Sequence, residues 1–131
     1  MITIKCILLI DDNKIDNFFH ERVIKKSGVA DTVISVESGQ AALDYLTNAN
    51  SIPPELIFLD INMPGMNGWE FIQHYKQLES RYNSAKIIIF TSNLTESETG
   101  VSESLKDLIS AFLPKPLTID ALNTVIEKLF E

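Results

Sequence analysis

Four apolar runs of strand length, each stopped by polar residues with chemical potential, constrain this chain more than any other feature. Cys6 to Ile10 runs into Asp11-Asp12-Asn13, and Leu56 to Leu59 runs into Asp60. Lys86 to Phe90 runs into Thr91-Ser92-Asn93, and Ala111 to Leu113 runs into Pro114-Lys115-Pro116. Continuous apolar runs, as opposed to alternating ones, suit strands buried on both faces of a parallel sheet. Thr32-Val33-Ile34-Ser35-Val36 alternates more and reads as a fifth strand at an edge.

Helical periodicities separate the runs. Ile15, Phe18, Phe19 and Val23 share one helix face, and Ser27-Gly28 supplies a stop. Ser38 opens a second helix through Leu46, and Phe71, Ile72, Tyr75 and Leu78 mark a third. A last helix enters at Thr118 as N-cap and carries Ile119, Leu122, Val125, Ile126 and Leu129 on one face. The fourth, Thr95 to Leu108, is the weakest. Thr95 and Glu98 form a capping box, but Gly100 lies inside and the apolar stripe (Val101, Leu105, Leu108) is thin. Strand and helix alternate five times, which predicts an α/β fold: a doubly wound five-stranded parallel sheet covered on both faces. Ligands in such folds bind outside the carboxyl ends of the strands.

Composition narrows the class. The chain has 131 residues, 45% hydrophobic and 22% charged, which fits one domain, 1–131, and excludes disorder. Eighteen acidic against eleven basic residues leave a net charge of −7, so no direct nucleic-acid partner is expected. Cys6 is the one cysteine and reads as a buried core thiol. The N-terminal run meets Asp11-Asp12 too soon for a signal peptide, and no stretch approaches the ~20 apolar residues of a membrane span. A cytoplasmic protein with no membrane contact is expected.

Since parallel strands end on one side, Asp11, Asp12, Asp60, Thr91 and Lys115 should converge. Three adjacent carboxylates repel and raise one another's pKa unless a cation is present. Mg²⁺ prefers oxygen ligands and is typically held by one or two carboxylates beside a phosphate. Asp11, Asp12 and Asp60 suit that role, and the backbone carbonyl of Asn62 is near enough in sequence to add an oxygen. Lys115 offers a point charge and Thr91 a hydroxyl to phosphoryl oxygens. There is no Ser/His/Asp arrangement for ester or peptide hydrolysis, but an aspartate can attack a phosphoryl group.

Asp11-Asp12, Asp60-Ile61-Asn62-Met63-Pro64-Gly65-Met66-Asn67-Gly68, Thr91-Ser92 and Lys115-Pro116, in that order and each after an apolar run, resemble the response-regulator receiver domain (CheY-like) of two-component signalling. The resemblance covers almost the whole chain. It implies a flavodoxin-like (βα)5 fold with strand order 2-1-3-4-5, acting as a stand-alone receiver with no output domain. It implies that Asp60 accepts a phosphoryl group from a phosphohistidine of a histidine kinase or phosphotransfer protein. Asp11, Asp12, Asp60 and the Asn62 carbonyl would then hold Mg²⁺, and Thr91 and Lys115 would contact the phosphoryl oxygens. Thr91 and Phe112 are the implied switch residues, altering the surface of helix four, strand five and helix five for an unknown downstream protein. Asn62 and Asn93 fall where the family tunes phosphoryl lifetime. The Lys115-Pro116 bond is typically cis in the family.

The expected product is a signalling domain and not an enzyme, beyond phosphotransfer to itself and autodephosphorylation, as a monomer or a phosphorylation-dependent dimer. Two other readings stay open: a degenerate, binding-only receiver, and a small Mg²⁺-dependent aspartyl-phosphate phosphatase of the haloacid-dehalogenase type. The latter needs a second carboxylate two residues after its nucleophile, where this chain has Asn62. His20 and His74 read as surface or half-buried residues away from the strand ends. Trp69 reads as a packing or capping residue of the third helix.

Overall fold

The computed structural model describes residues 3–92 and 103–130. Its elements are β1 (Ile4–Ile10), α1 (Lys14–Ser27), β2 (Ala30–Val36), α2 (Gly39–Thr47), β3 (Leu56–Leu59) and α3 (Gly68–Lys76). A 3-10 turn at Ser80–Tyr82 precedes β4 (Lys86–Thr91), which is followed by α4 (Glu103–Lys106), β5 (Ile109–Pro114) and α5 (Ile119–Phe130). The strands pair in parallel in the order β2-β1-β3-β4-β5, a flavodoxin-like, doubly wound sheet as expected. Thr95, Glu98, Gly100 and Val101 of the expected fourth helix lie outside the described residues, as does Asn93.

The uninterrupted apolar runs feed two cores, because successive strand residues point to opposite faces. Ile7, Leu9, Phe58, Ile88 and Phe90 pack with Ile24 of α1 and with Leu122, Val125 and Ile126 of α5. Leu8, Ile10, Ile57, Leu59, Ile87 and Ile89 pack with α2, α3 and Leu105 of α4. Caps fall where the local chemistry directs them. Ser38 accepts from the Ala41 N–H and Thr118 from that of Ala121. Gly28 ends α1 at φ 76°, a left-handed conformation that a side chain would oppose. Asn67, with Glu70, forms the capping box of α3; Trp69 is half-buried and packs against the second core.

Helix α1 departs from its apolar periodicity. Ile15, Phe18 and Phe19 are exposed (79%, 60% and 48%), Val23 is half-buried, and the helix buries Asn17, His20 and Ile24 instead. The physical reason is a polar anchor. Asn17 is 4% exposed, and its Nδ2 donates to the carbonyls of Asp11 (2.9 Å) and Val36 (3.3 Å), tying α1 to the ends of β1 and β2. With Asn17 turned inward, positions three and seven residues later follow, and the phenylalanines rotate outward. His20 is therefore buried, 3% exposed, contrary to its sequence reading.

Replacing Asn17 with Leu keeps the branched side-chain shape but leaves the Asp11 carbonyl without this donor. We expect a stability loss of about 1–3 kcal/mol, read by urea denaturation. An unchanged midpoint would show that the amide does not set the rotation of α1.

Candidate functional site

The sheet's own hydrogen bonds carry three site residues to the same edge. The Asp11 N–H donates to the Val36 carbonyl (3.2 Å), the Asp60 N–H to that of Ile10 (3.0 Å), and the Lys115 N–H to that of Thr91 (2.9 Å). Each extends a strand pairing by one residue, so these side chains emerge where the apolar runs stop. Asn13 takes the N-cap of α1, accepting from the N–H groups of Ile15 and Asp16, so capping falls on neither Asp11 nor Asp12. Behind Asp60 the chain turns through Gly65 (φ 77°), and Gly68 starts α3 hard against it. A Cβ on Gly68 would stand 2.7 Å from the Asp60 carbonyl oxygen, so only glycine allows this close return.

Carboxylate oxygens of Asp11, Asp12 and Asp60 lie within 4.8 Å of one another. Asp11 and Asp60 are buried and Asp12 is exposed. Nζ of Lys115 pairs with Oδ2 of Asp11 and lies 3.3 Å from Oδ2 of Asp16 and 3.8 Å from Oδ1 of Asp60. Burial pushes the Asp60 carboxyl up to about 6; Lys115 opposes the shift, and Asp11 and Asp12 add to it. The expected rise is there, but desolvation leads it and repulsion comes second. The Lys115 ammonium is itself held above its usual range, because its carboxylate partners outweigh the burial that pulls it down. Three convergent carboxylates form a hard, all-oxygen donor set on one side of an accessible rim, which fits a divalent cation such as Mg²⁺.

Thr91 is buried at the end of β4, and Asn62 is exposed two residues past Asp60. Phe112 is half-buried on β5, paired in register with Ile89 and packed on the core that α2 and α3 cover. The Lys115-Pro116 bond is cis. His74 is exposed on α3, and Cys6 is buried on β1, its thiol raised by burial.

Three α1 residues escaped the sequence reading. Asp16 looked like an ordinary first-turn acid, and only the approach of β5 makes it a partner of Lys115. Asn17 anchors the helix. His20 sits edge-on to Phe90 (4.6 Å between ring centres), and Phe90 in turn lies 5.8 Å from Nζ of Lys115. The Asn17-His20-Ile24 spacing was the available signal, masked by larger apolar neighbours. A cleft lined by Tyr45, Ile52, Arg81 and Tyr82 opens at the opposite ends of the strands, away from the carboxylates.

Asp60 binds its proton more tightly folded than unfolded, where the usual value is 3.8. Its charge therefore opposes folding above about pH 6, and this penalty is absent below the unfolded value. In metal-free protein, Asp60→Asn should raise Tm at pH 7.5 by several degrees, equivalent to about 1–2 kcal/mol. The gain should shrink as pH falls through about 6. A gain that is equal at pH 7.5 and pH 5 would assign the effect to packing and not to charge.

Comparison with known proteins agrees with this geometry. The crystal structure of a two-component response regulator from Cytophaga hutchinsonii aligns with a TM-score of 0.81 at 35% identity, covering 96% of each chain. The two-component response regulator 24 of Arabidopsis thaliana is 30% identical over 122 residues, 93% of this chain and 81% of its own length. The response regulator Rcp1 of Synechocystis is 28% identical over 127 residues, covering 94% and 84%. Residues 7–127 match the response regulator receiver domain. With five parallel strands in the CheY-like order and an acidic cluster at their carboxyl edge, this chain belongs to the response regulator receiver domain family of two-component signalling.

Proposed function

We propose that Asp60 is the acceptor of a phosphoryl group delivered by a phosphohistidine on a histidine kinase or phosphotransfer protein. The observation that carries this reading is the cluster of Asp11, Asp12 and Asp60 with the Lys115 ammonium beside it. An Asp60 carboxylate oxygen attacks phosphorus, and the O–P bond forms as the donor's N–P bond breaks. The bonding electron pair leaves with the imidazole nitrogen, which takes a proton from water. Asp11, Asp12, Asp60 and the Asn62 carbonyl are the residues that would hold Mg²⁺. When bound, the ion neutralises charge on the transferring oxygens. Lys115 and the Thr91 hydroxyl orient two of those oxygens. Asn62 and Asn93, two residues past Asp60 and Thr91 in the sequence, supply no general base, which leaves the lifetime of the acyl phosphate to water access.

Delivery needs a surface. A donor must place its phosphorus in line with Asp60, so it must cover the rim, and α1 begins at that rim. Ile15, Phe18 and Phe19 present an apolar face there, bordered by the Arg22 guanidinium 5.7 Å from the Phe18 ring. This face suits the phosphodonor. The signal leaves elsewhere, through Thr91, Phe112 and the surface of α4, β5 and α5, to a downstream protein.

Incubation with acetyl phosphate and Mg²⁺ should add one phosphoryl mass to the wild type and none to Asp60→Asn, by intact-mass spectrometry. A folded protein without any adduct, which also fails to bind beryllofluoride, would be a binding-only receiver and would overturn this reading. Phe18→Ser should slow phosphotransfer from a cognate phosphohistidine protein at least about tenfold, the equivalent of about 1.4 kcal/mol. Labelling by acetyl phosphate should be unchanged. Equal slowing with both donors would place the defect in the pocket and not at a docking face.

A further inference from the structure

His20 is a buried titratable group that phosphoryl transfer leaves unused. It is 3% exposed, and its Nε2 has no hydrogen-bond partner among the described residues. The ring lies between Phe19 and Phe90, at 5.4 and 4.6 Å between centres. A nitrogen left unpaired in apolar surroundings costs stability that a leucine or phenylalanine would not. Such a group is explained when a second state of the protein gives it a partner.

The charges acting on the ring come from three elements. Asp16 lies one turn earlier on α1, Asp11 at the end of β1, and Lys115 after β5; the two acids favour the imidazolium, and the lysine opposes it. β4 contributes apolar Phe90, and α5 exposes its own charged residues, Asp120, Glu127 and Lys128. Burial dominates and holds His20 below its usual 6.5, so the resting ring is neutral at neutral pH.

Lys115 connects this ring to the acceptor. Its Nζ pairs with Asp11 and stands 3.3 Å from Asp16 and 3.8 Å from Asp60, within reach of all three carboxylates. A phosphoryl group on Asp60 adds negative charge on the Asp60 side, drawing the ammonium away from Asp16. Residues 16 and 20 share one helix face. We infer that His20 takes up a proton when Asp60 carries its phosphoryl group, Asp16 becoming the counter-ion of the imidazolium as Lys115 turns to the phosphoryl oxygens. One proton moves from solvent to the ring nitrogen that lacks one, and no other bond forms or breaks. This rests on the phosphoacceptor reading above. The sign follows from linkage. Between the resting and loaded midpoints of His20 the loaded state binds more protons, so falling pH favours the loaded state across that window.

The test is an NMR titration of the imidazole signals, with exposed His74 as the reference in the same sample. In protein loaded with beryllofluoride and Mg²⁺, the His20 midpoint should rise by about half a unit or more, roughly a threefold gain in proton affinity, while His74 stays put. In unloaded protein, Lys115→Met should raise the His20 midpoint without any phosphoryl chemistry. Asp16→Asn should cancel the rise in the loaded state. Beryllofluoride bound, seen in Trp69 fluorescence, with an unmoved His20 overturns this inference alone, as does an unmoved midpoint in Lys115→Met. Failure of beryllofluoride to bind overturns the phosphoacceptor reading and this inference with it.

Discussion

Parallel strand pairing is the constraint from which everything else in this molecule follows. Five strands that run the same way must end on the same side, with every return made by a helix across a face. The hydrogen-bond ladder then runs one residue beyond β1, β3 and β5, through the amides of Asp11, Asp60 and Lys115. Residues 104 positions apart in the chain are thereby set into contact by backbone geometry. The side chains need little freedom of their own. Their places are fixed by strands whose burial on both faces leaves them no other register.

That convergence creates an electrostatic problem that one lysine only partly solves. The Lys115 ammonium faces Asp11, Asp16 and Asp60, and Asp12 stands on the open side. The raised Asp60 carboxyl records what is left over, chiefly the cost of keeping a charge out of water. Three carboxylates gathered around one ammonium leave negative charge that a bound cation could balance. Lys115 pairs with Asp11 and keeps Asp16 and Asp60 within 4 Å, so one ammonium faces three carboxylates.

Helix α1 links the pocket to two surroundings at once. Its inward face carries the Asn17 anchor and the buried His20, and its outward face carries apolar side chains beside the rim. Apolar periodicity grouped Ile15, Phe18, Phe19 and Val23 on one helix face, yet the first three are exposed, for an identifiable reason. An amide that satisfies two strand-end carbonyls outweighs the burial of large side chains whose places in the core are filled by α5 and the sheet. Where the buried face of a helix carries the apolar periodicity itself, as with Phe71, Ile72 and Tyr75 of α3, periodicity and structure agree.

The strand ends and the polar side chains that follow them were legible from residue order, because a doubly covered parallel sheet needs continuous apolar runs and a polar residue wherever one stops, whereas the strand order came only with the family resemblance. So were the caps at Ser38 and Thr118, which depend on chemistry within four residues. Other features belong to the tertiary structure. The rotation of α1, the burial of His20 against Phe90, the capture of Lys115 by Asp16 and the close return of Gly68 onto Asp60 each depend on groups far apart in the chain. Local pattern carries the information for which segment becomes strand or helix. The orientation of a helix on its sheet is decided by which buried polar groups find partners across the gap, and that is known only when both sides are in place.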